Sequence, residues 1–412
     1  MKFLRTISTR RLLALIAGFV SAIVAGAAIA VAAAGTGPVP PPRALPNAVH
    51  SALTAPAPSG ITARISFTNH LIPAGNIQGS DPILTGATGR LWLSNNHQLR
   101  LELQSDSGNG DAQIVVNKNS FWVYDPTAHT VYKGSIPQDA RKGKDAKKAH
   151  DTGVPTIAQI QKQVTQLAQH MNLSGAIPGD VAGHSAYTVR VSPKHDGGLL
   201  GAGELAWDAI KGVPLRIAVY AQNDTTPVLE LKATDISYGK VNSSIFNVSP
   251  PSGAKVVQVD TSKAHASATM KAKRLRDRRH HEVTGVKAVA QKLPFALVAP
   301  KQLVGLPRRD VTLLRWGGHP AALVSYGQNL GGVAVIEQSA ATASKTLGGS
   351  SNSSGGREHQ GLTLPTVSIN GATGQELDTA LGTVVRFTRG GVTYTVVGSV
   401  PAAAADAAAR AL

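Results

Sequence analysis

The chain carries thirteen histidines, the side chain whose ordinary pKa suits proton transfer and metal ligation near neutrality. None stands in a zinc-protease pattern of the H-E-x-x-H kind. His280-His281-Glu282 comes nearest to a ligand cluster. Lys271, Lys273, Arg274, Arg276, Arg278 and Arg279 precede it, and their positive field opposes a bound cation. Cysteine is absent, which removes disulfides, thiolate metal sites, a cysteine nucleophile and a lipobox. Gly201-Ala202-Gly203-Glu204-Leu205-Ala206 has the letters of a dinucleotide fingerprint. Strand-like alternation follows it where the fingerprint requires a helix. No G-x-S-x-G elbow and no phosphate-binding loop occurs. The 24 acidic residues are scattered, with no evident carboxylate pair for glycosidase work. The residues therefore point away from catalysis, and no metal and no cofactor is expected.

What the chain offers instead is apolar surface in a regular array. Residues 88 to 134 hold five short segments of two-residue period, separated by turn signals. Leu91 and Leu93 alternate with Arg90 and Trp92, and Leu99, Leu101 and Leu103 alternate with Arg100 and Glu102. Ile114 and Val116 follow a Ser-Gly-Asn-Gly turn, Phe121 and Val123 alternate with Trp122 and Tyr124, and Val131 closes the run. Alternation at period two puts one set on each face of a strand. Spacing of about ten residues between strands predicts an antiparallel meander. Its leucines look inward and its Arg/Glu set outward. Further strands are expected at 63–70, 185–191, 203–207, 213–220 and 228–238. Leu215, Ile217 and Val219 alternate with Arg216 and Ala218, and Leu229 and Leu231 alternate with Glu230 and Lys232. The chemistry such a face performs is sequestration, at about 25 cal/mol per Å2 of apolar area removed from water.

The ordered set Gly89-Arg90-Leu91-Trp92-Leu93, Leu99-Arg100-Leu101-Glu102, Phe121-Trp122-Val123-Tyr124-Asp125-Pro126 and Thr130-Val131-Tyr132 resembles the LolA/LolB lipoprotein-carrier superfamily, which includes the RseB/MucB sensors. Ile245-Phe246-Asn247-Val248-Ser249-Pro250-Pro251-Ser252-Gly253 is similar to the end of the same domain, so the resemblance covers roughly residues 45 to 260. It implies a mainly β (α+β) fold: an antiparallel, unclosed half-barrel with covering helices. The implied ligand face comprises Leu91, Leu93, Leu99, Leu101, Leu103, Phe121, Val123, Leu215, Ile217, Val219, Leu229 and Leu231. Two alternatives stand: these residues line an acyl-chain cavity, or they form a filled core. In the carriers an arginine of the Arg100 strand contacts the covering helices. Here the alternation places Arg100 opposite the leucines.

Other segments must position this face. Lys2, Arg5, Arg10 and Arg11 precede an apolar run from Leu12 to Ala34, which at ~1.5 Å per residue is long enough to cross a bilayer. It reads either as a signal peptide, cleaved near Ala34, or as a retained signal anchor. Both readings place the rest outside the cytoplasm. A proline-rich spacer follows at 35–46, then a short helix at 47–53 with Asn47 as its cap, and a loop at 71–87. Residues 156–173 predict an amphipathic helix, with Ile157, Ile160, Val164, Leu167 and Met171 on one stripe.

The expected layout is a half-barrel domain at 47–260, a basic linker at 261–283 and a smaller α+β domain at 284–412. In the last, strands are expected at 311–314, 321–326 and 333–337. A hairpin about Gly390-Gly391 and an alanine-rich terminal segment from Pro401 complete it. This ending is similar to small extracytoplasmic domains appended to carrier-like domains in Gram-positive envelope proteins. The net charge of +17 favours anionic membrane or cell-wall surfaces, through the basic stretches at 138–151 and 261–283. No nucleic-acid partner is expected of an exported chain. The function expected is a non-catalytic, extracytoplasmic binder of lipid or lipoprotein acyl chains. The alternative is an RseB/MucB-like envelope sensor that binds an anti-sigma factor or other membrane signalling protein.

Overall fold

The structure is a computed structural model that describes residues 37–76, 82–105, 111–126, 128–136, 154–195, 197–259, 283–316, 319–346 and 364–412. The apolar run 12–34, the basic stretch 138–151 and the linker 261–282 lie outside these residues.

The meander forms as its alternation dictates. The first part of the chain gives β1 (Gly60–Asn69), β2 (Ala87–Ser94), β3 (Gln98–Ser105), β4 (Asp111–Asn117), β5 (Ser120–Asp125) and β6 (Thr130–Ser135). There follow β7 (Met171–Leu173), β8 (Ile177–Val181), β9 (His184–Pro193), β10 (Leu200–Asp208), β11 (Pro214–Ala221), β12 (Pro227–Tyr238) and β13 (Lys255–Val259). All thirteen belong to one sheet, in the order β13-β6-β5-β4-β3-β2-β1-β12-β11-β10-β9-β7, with β8 also on β9. The pairing of β1 with β12 joins the two meanders into one curled, open surface. β13 pairs parallel with β6 and was not anticipated.

Helix α1 (Leu45–Thr54) begins earlier than expected. Its cap position is Ala44, which makes no side-chain cap bond, and Pro46 sits in the first turn. Asn47 is therefore not the cap: proline's fixed φ starts the helix before it. The described residues of the loop 71–87 include a 3-10 turn at Ala74–Asn76 and the short helix α2 (Pro82–Thr85). Helix α3 (Ile157–Leu167) opens on a complete capping box, with Thr156 and Gln159 each satisfying the other's backbone N–H. It stops at Leu167, six residues short of the expected end. The amides of Gln169 and His170 turn back three residues to Gln166 and Leu167. Met171–Leu173 then pairs with β9 as an edge strand. Ladder bonding to an open edge wins over one more helical turn.

A second sheet holds β14 (Gln302–Leu303), β15 (Leu306–Trp316), β16 (His319–Tyr326), β17 (Val333–Ser339), β18 (Thr366–Ile369), β19 (Ala372–Thr379), β20 (Gly382–Arg389) and β21 (Val392–Gly398). Their order is β14-β15-β16-β17-β21-β20-β19-β18. The β20–β21 hairpin turns at Gly390 and Gly391, with φ of 57° and 76°, as a two-residue turn of positive φ demands. Three short helices accompany this sheet: α4 (Val286–Ala290), α5 (Ala340–Thr346) and α6 (Ala402–Arg410). Ala405, Ala408 and Ala409 of α6 are fully buried, since a methyl side chain lets a helix lie close on a sheet. One continuous core results, centred on Val324, Val335, Ile369, Val385 and Phe387.

The two sheets touch at one end of the first. Leu199 donates its N–H to Ser399 O at 2.9 Å, and Ala380 donates to Leu71 O at 3.0 Å. Gly198 has φ +59°, and a Cβ there would fall 2.1 Å from Ser399 O, so only glycine fits.

Candidate ligand-binding face

Strand register places all twelve sequence-predicted residues on one side of the first sheet. Leu91 stands opposite Leu101 and Leu93 opposite Leu99. The row continues through Ile114 to Val123 and through Val116 to Phe121. Across the sheet, Ile217 faces Leu231 and Val219 faces Leu229. β1 bridges the halves, with Ala63 beside Leu91 and Phe67 beside Leu231. Period two therefore carries one apolar surface through strands that lie far apart in the chain.

The surface is unevenly covered. Leu99, Phe121, Val123 and Leu215 are buried. Leu91, Leu93, Leu101, Leu103, Ile217, Val219, Leu229 and Leu231 are only half-buried. Helix α1 covers the β9–β11 portion, where Leu45, Ala48, Val49 and Ala52 pack on Tyr187, Val189, Leu205 and Trp207. Helix α3 leans on α1 and buries Ile160, while Ile157 and Leu167 stay 45% and 42% exposed. The expected stripe of five is thus a single buried residue and its partly exposed neighbours. Tyr132 shares the inner face beside Val123. Burial first, and the charge of Asp125 second, push its hydroxyl pKa up.

Several residues of this face were not singled out from sequence: Ile61, Ala63 and Ile65 on β1, Ala233 and Ile236 on β12, and Val189 and Leu205 behind α1. Their alternation was visible. Only the β1–β12 pairing shows that they continue the leucine rows.

The outer face differs in kind. Arg190, Glu204, Arg216 and Glu230 form a ladder across β9–β12. Arg190 Nη1 lies 2.6 Å from Glu204 Oε1, Arg216 Nη1 2.9 Å from Glu204 Oε2, and Arg216 Nε 2.6 Å from Glu230 Oε1. Tyr220 donates to Glu204 Oε2 at 2.5 Å and accepts from Arg216 Nη2 at 2.7 Å. Burial alone would lower the Arg216 pKa, but its hydrogen bonds to Tyr220, Glu204 and Glu230 outweigh that and raise it. Burial alone would raise Glu230, but bonds from Lys232 and Arg216 hold it below the usual range. Further along this face Val115, Trp122 and Val131 are buried against Val248 and Ala254. Arg100 also lies here. It stacks over Trp92, pairs with Glu102 and donates to Ile245 O at 3.0 Å, so its partners are not the covering helices.

One cluster has the look of a catalytic pair. His184 Nδ1 is 3.3 Å from Asp208 Oδ2, and Tyr238 donates to the same oxygen at 2.7 Å. The other ring nitrogen is 3.0 Å from Ile236 O, and Asp208 Oδ1 accepts from the amides of Ile210 and Lys211. Both nitrogens of His184 are engaged, so the ring ties three strand ends together and has no nitrogen left to serve as a base. Burial, then the Asp208 bond, push the Tyr238 pKa well up. Among the described residues no group of three or more His, Asp and Glu side chains is placed to hold a metal ion.

No family model matches the chain, and no curated protein matches it. Solved structures do. It is similar to MucB in the Pseudomonas aeruginosa MucA/MucB complex, at 14% identity over 89% of this chain and 95% of that one, with a TM-score of 0.36. It is similar to the LolA superfamily protein NE2245 of Nitrosomonas europaea, at 11% identity over 50% of this chain and 98% of that one, with a TM-score of 0.19. It is also similar to a putative outer membrane lipoprotein-sorting protein domain of Vibrio parahaemolyticus, at 11% identity over 46% of this chain and 89% of that one, with a TM-score of 0.18. These are the groups that the sequence motifs resemble. The fold itself rests on the strand register above, and likenesses this distant say nothing about ligand or partner.

Proposed function

We propose that the first sheet binds acyl chains on its inner face, without catalysis, in an extracytoplasmic protein that handles lipid or lipoprotein. The observation that carries this reading is the incomplete burial of eight of the twelve inner residues, among them Leu91, Leu101, Leu229 and Leu231. The second sheet gathers fully buried side chains such as Val324 and Val335 into one cluster, whereas the inner rows of the first sheet are covered only in part. An extended aliphatic surface that its own chain covers only in part suits an apolar ligand. Alkyl chains suit it because the face is aliphatic and its polar partners lie on the opposite side of the sheet.

The test is lipid retention. The full chain is extracted from bacterial membranes in a mild detergent, washed, and analysed for bound lipid by native mass spectrometry and organic extraction. Near-stoichiometric lipid that is lost in Leu101→Arg supports the reading. A lipid-free mass after incubation with envelope lipids would reject it and turn attention to a protein partner.

A further inference from the structure

The first sheet has two rims, and the chain treats them differently. β1, β9 and β11 begin at one rim, and β2, β10 and β12 end there. At the other rim Leu71 and Leu199 meet the second sheet through Ala380 and Ser399. Strands of eight to twelve residues separate the rims, so the second sheet stands about 30 Å from the first rim.

The described chain starts at that first rim. Gly37 packs directly on Asp180, since a Cβ on it would fall 2.0 Å from Asp180 Oδ2. Asp180 pairs with Ser185 at the β8–β9 turn. From there the chain runs inward, through Pro41 O accepting from Tyr187 at 2.6 Å and Arg43 bridging Ala176. Helix α1 then returns to the rim, where Gly212 sits on Ala52 so closely that a Cβ would come within 2.3 Å of Ala52 O. In the sequence the apolar run ends at Ala34, three residues before Gly37.

The rim also carries the right side chains. Ile210, at the tip of the β10–β11 turn, is 71% exposed, and Leu53 at the end of α1 is 40% exposed. Lys211 lies next to Ile210, and Lys240 is exposed just past the end of β12. Two carboxylates of this rim, Asp180 and Asp208, are buried, and Asp208 is held by His184 and Tyr238. What the turn tip offers outward is an isoleucine flanked by lysine.

We infer that this rim is a membrane-contact surface: Ile210 and Leu53 enter the interfacial zone of an anionic bilayer while Lys211 and Lys240 meet acidic headgroups. Apolar tips with adjacent cations are what interfacial binding requires. The orientation puts the open inner face with one end at the lipid and the second sheet facing away. It goes beyond acyl binding and stands without it, since a rim can rest on lipid whether or not the inner face is loaded.

The chain has no cysteine, so single labels are clean. Full-length Ile210→Cys and Thr225→Cys would each carry an environment-sensitive fluorophore and be reconstituted into vesicles of phosphatidylcholine with phosphatidylglycerol. Thr225 is the exposed control at the opposite rim. The expected result is a blue-shifted label at position 210 that loses most of its emission to bromine-labelled lipid, with neither effect at position 225. Adding Lys211→Glu and Lys240→Glu should reverse the shift. Equal emission at the two positions, or quenching confined to position 225, would overturn the inference. Bound lipid measured on the same samples reports separately on the inner face.

Discussion

The two sheets of this protein use apolar residues in opposite ways. The second sheet closes a single core: Val335, Val385 and Val396 are fully buried and α6 presses three alanines onto them. The first sheet divides its buried residues into separate clusters, one beneath α1, one along β1 and β12, and two on the outer face. The leucines that pack along these clusters, Leu91, Leu101, Leu103 and Leu231 among them, are only partly buried. One sheet is stabilised by a filled interior. The other is stabilised from its margins and its outer face, which leaves the inner aliphatic surface available.

Substitutions can break this contrast in a graded way. Phe387, 2% exposed and stacked on Tyr394 at 5.1 Å between ring centroids, fills the second core, and Phe387→Ala is expected to cost about 4 kcal/mol by denaturant titration of that sheet's transition. On the outer face of the first sheet, Glu204→Ala leaves the buried Arg216 short of a partner and is expected to cost roughly 3–4 kcal/mol, with a lowered melting temperature as readout.

The second core holds an apparent exception. Glu337 is fully buried and accepts a hydrogen bond from Val298 N at 3.0 Å, while among the described residues its Oε1 and the Tyr326 hydroxyl have no partner. Burial pushes its carboxyl pKa up to about 7, against an ordinary 4.5. The folded state therefore holds a proton more tightly than the unfolded chain. Its contribution to stability is full below pH 4.5 and is lost as pH rises from 4.5 through 7. Glu337→Gln should flatten that slope and gain about 3 kcal/mol at pH 8, measured as chemical stability against pH. A slope that survives the substitution would place the titration elsewhere.

The smallest stability effect belongs to the inner face of the first sheet. Leu101→Ala truncates a side chain that is only partly buried and should cost about 1 kcal/mol, though it removes part of the proposed ligand surface. A cost as large as that of Phe387→Ala would mean that this face is an ordinary core.

Alternation made most of the first sheet legible in the sequence. Strands β2 to β6 and β9 to β12 fall where Leu91 to Val131 and Val189 to Leu231 alternate, and the twelve inner residues share one side of the sheet, because period two depends on local sequence alone. What was missed depends on pairing. β7 looked like a last turn of helix, since Met171 keeps the helical spacing, and only the free edge of β9 makes it a strand. β13 has to find β6 over a hundred residues away. The Arg/Glu set of the strands was read only as pointing outward. It is a ladder about two buried carboxylates, Glu204 and Glu230, which meet Arg190 and Arg216 only once four strands are in register.

The measurement that tests the account most directly is the bound-lipid stoichiometry of the full chain beside its Leu101→Arg variant, with folding of both checked by thermal melt. The account predicts near one lipid per wild-type chain, little or none in the variant, and two similar melts. Wild-type protein that stays lipid-free, or a variant that keeps its lipid, would contradict it.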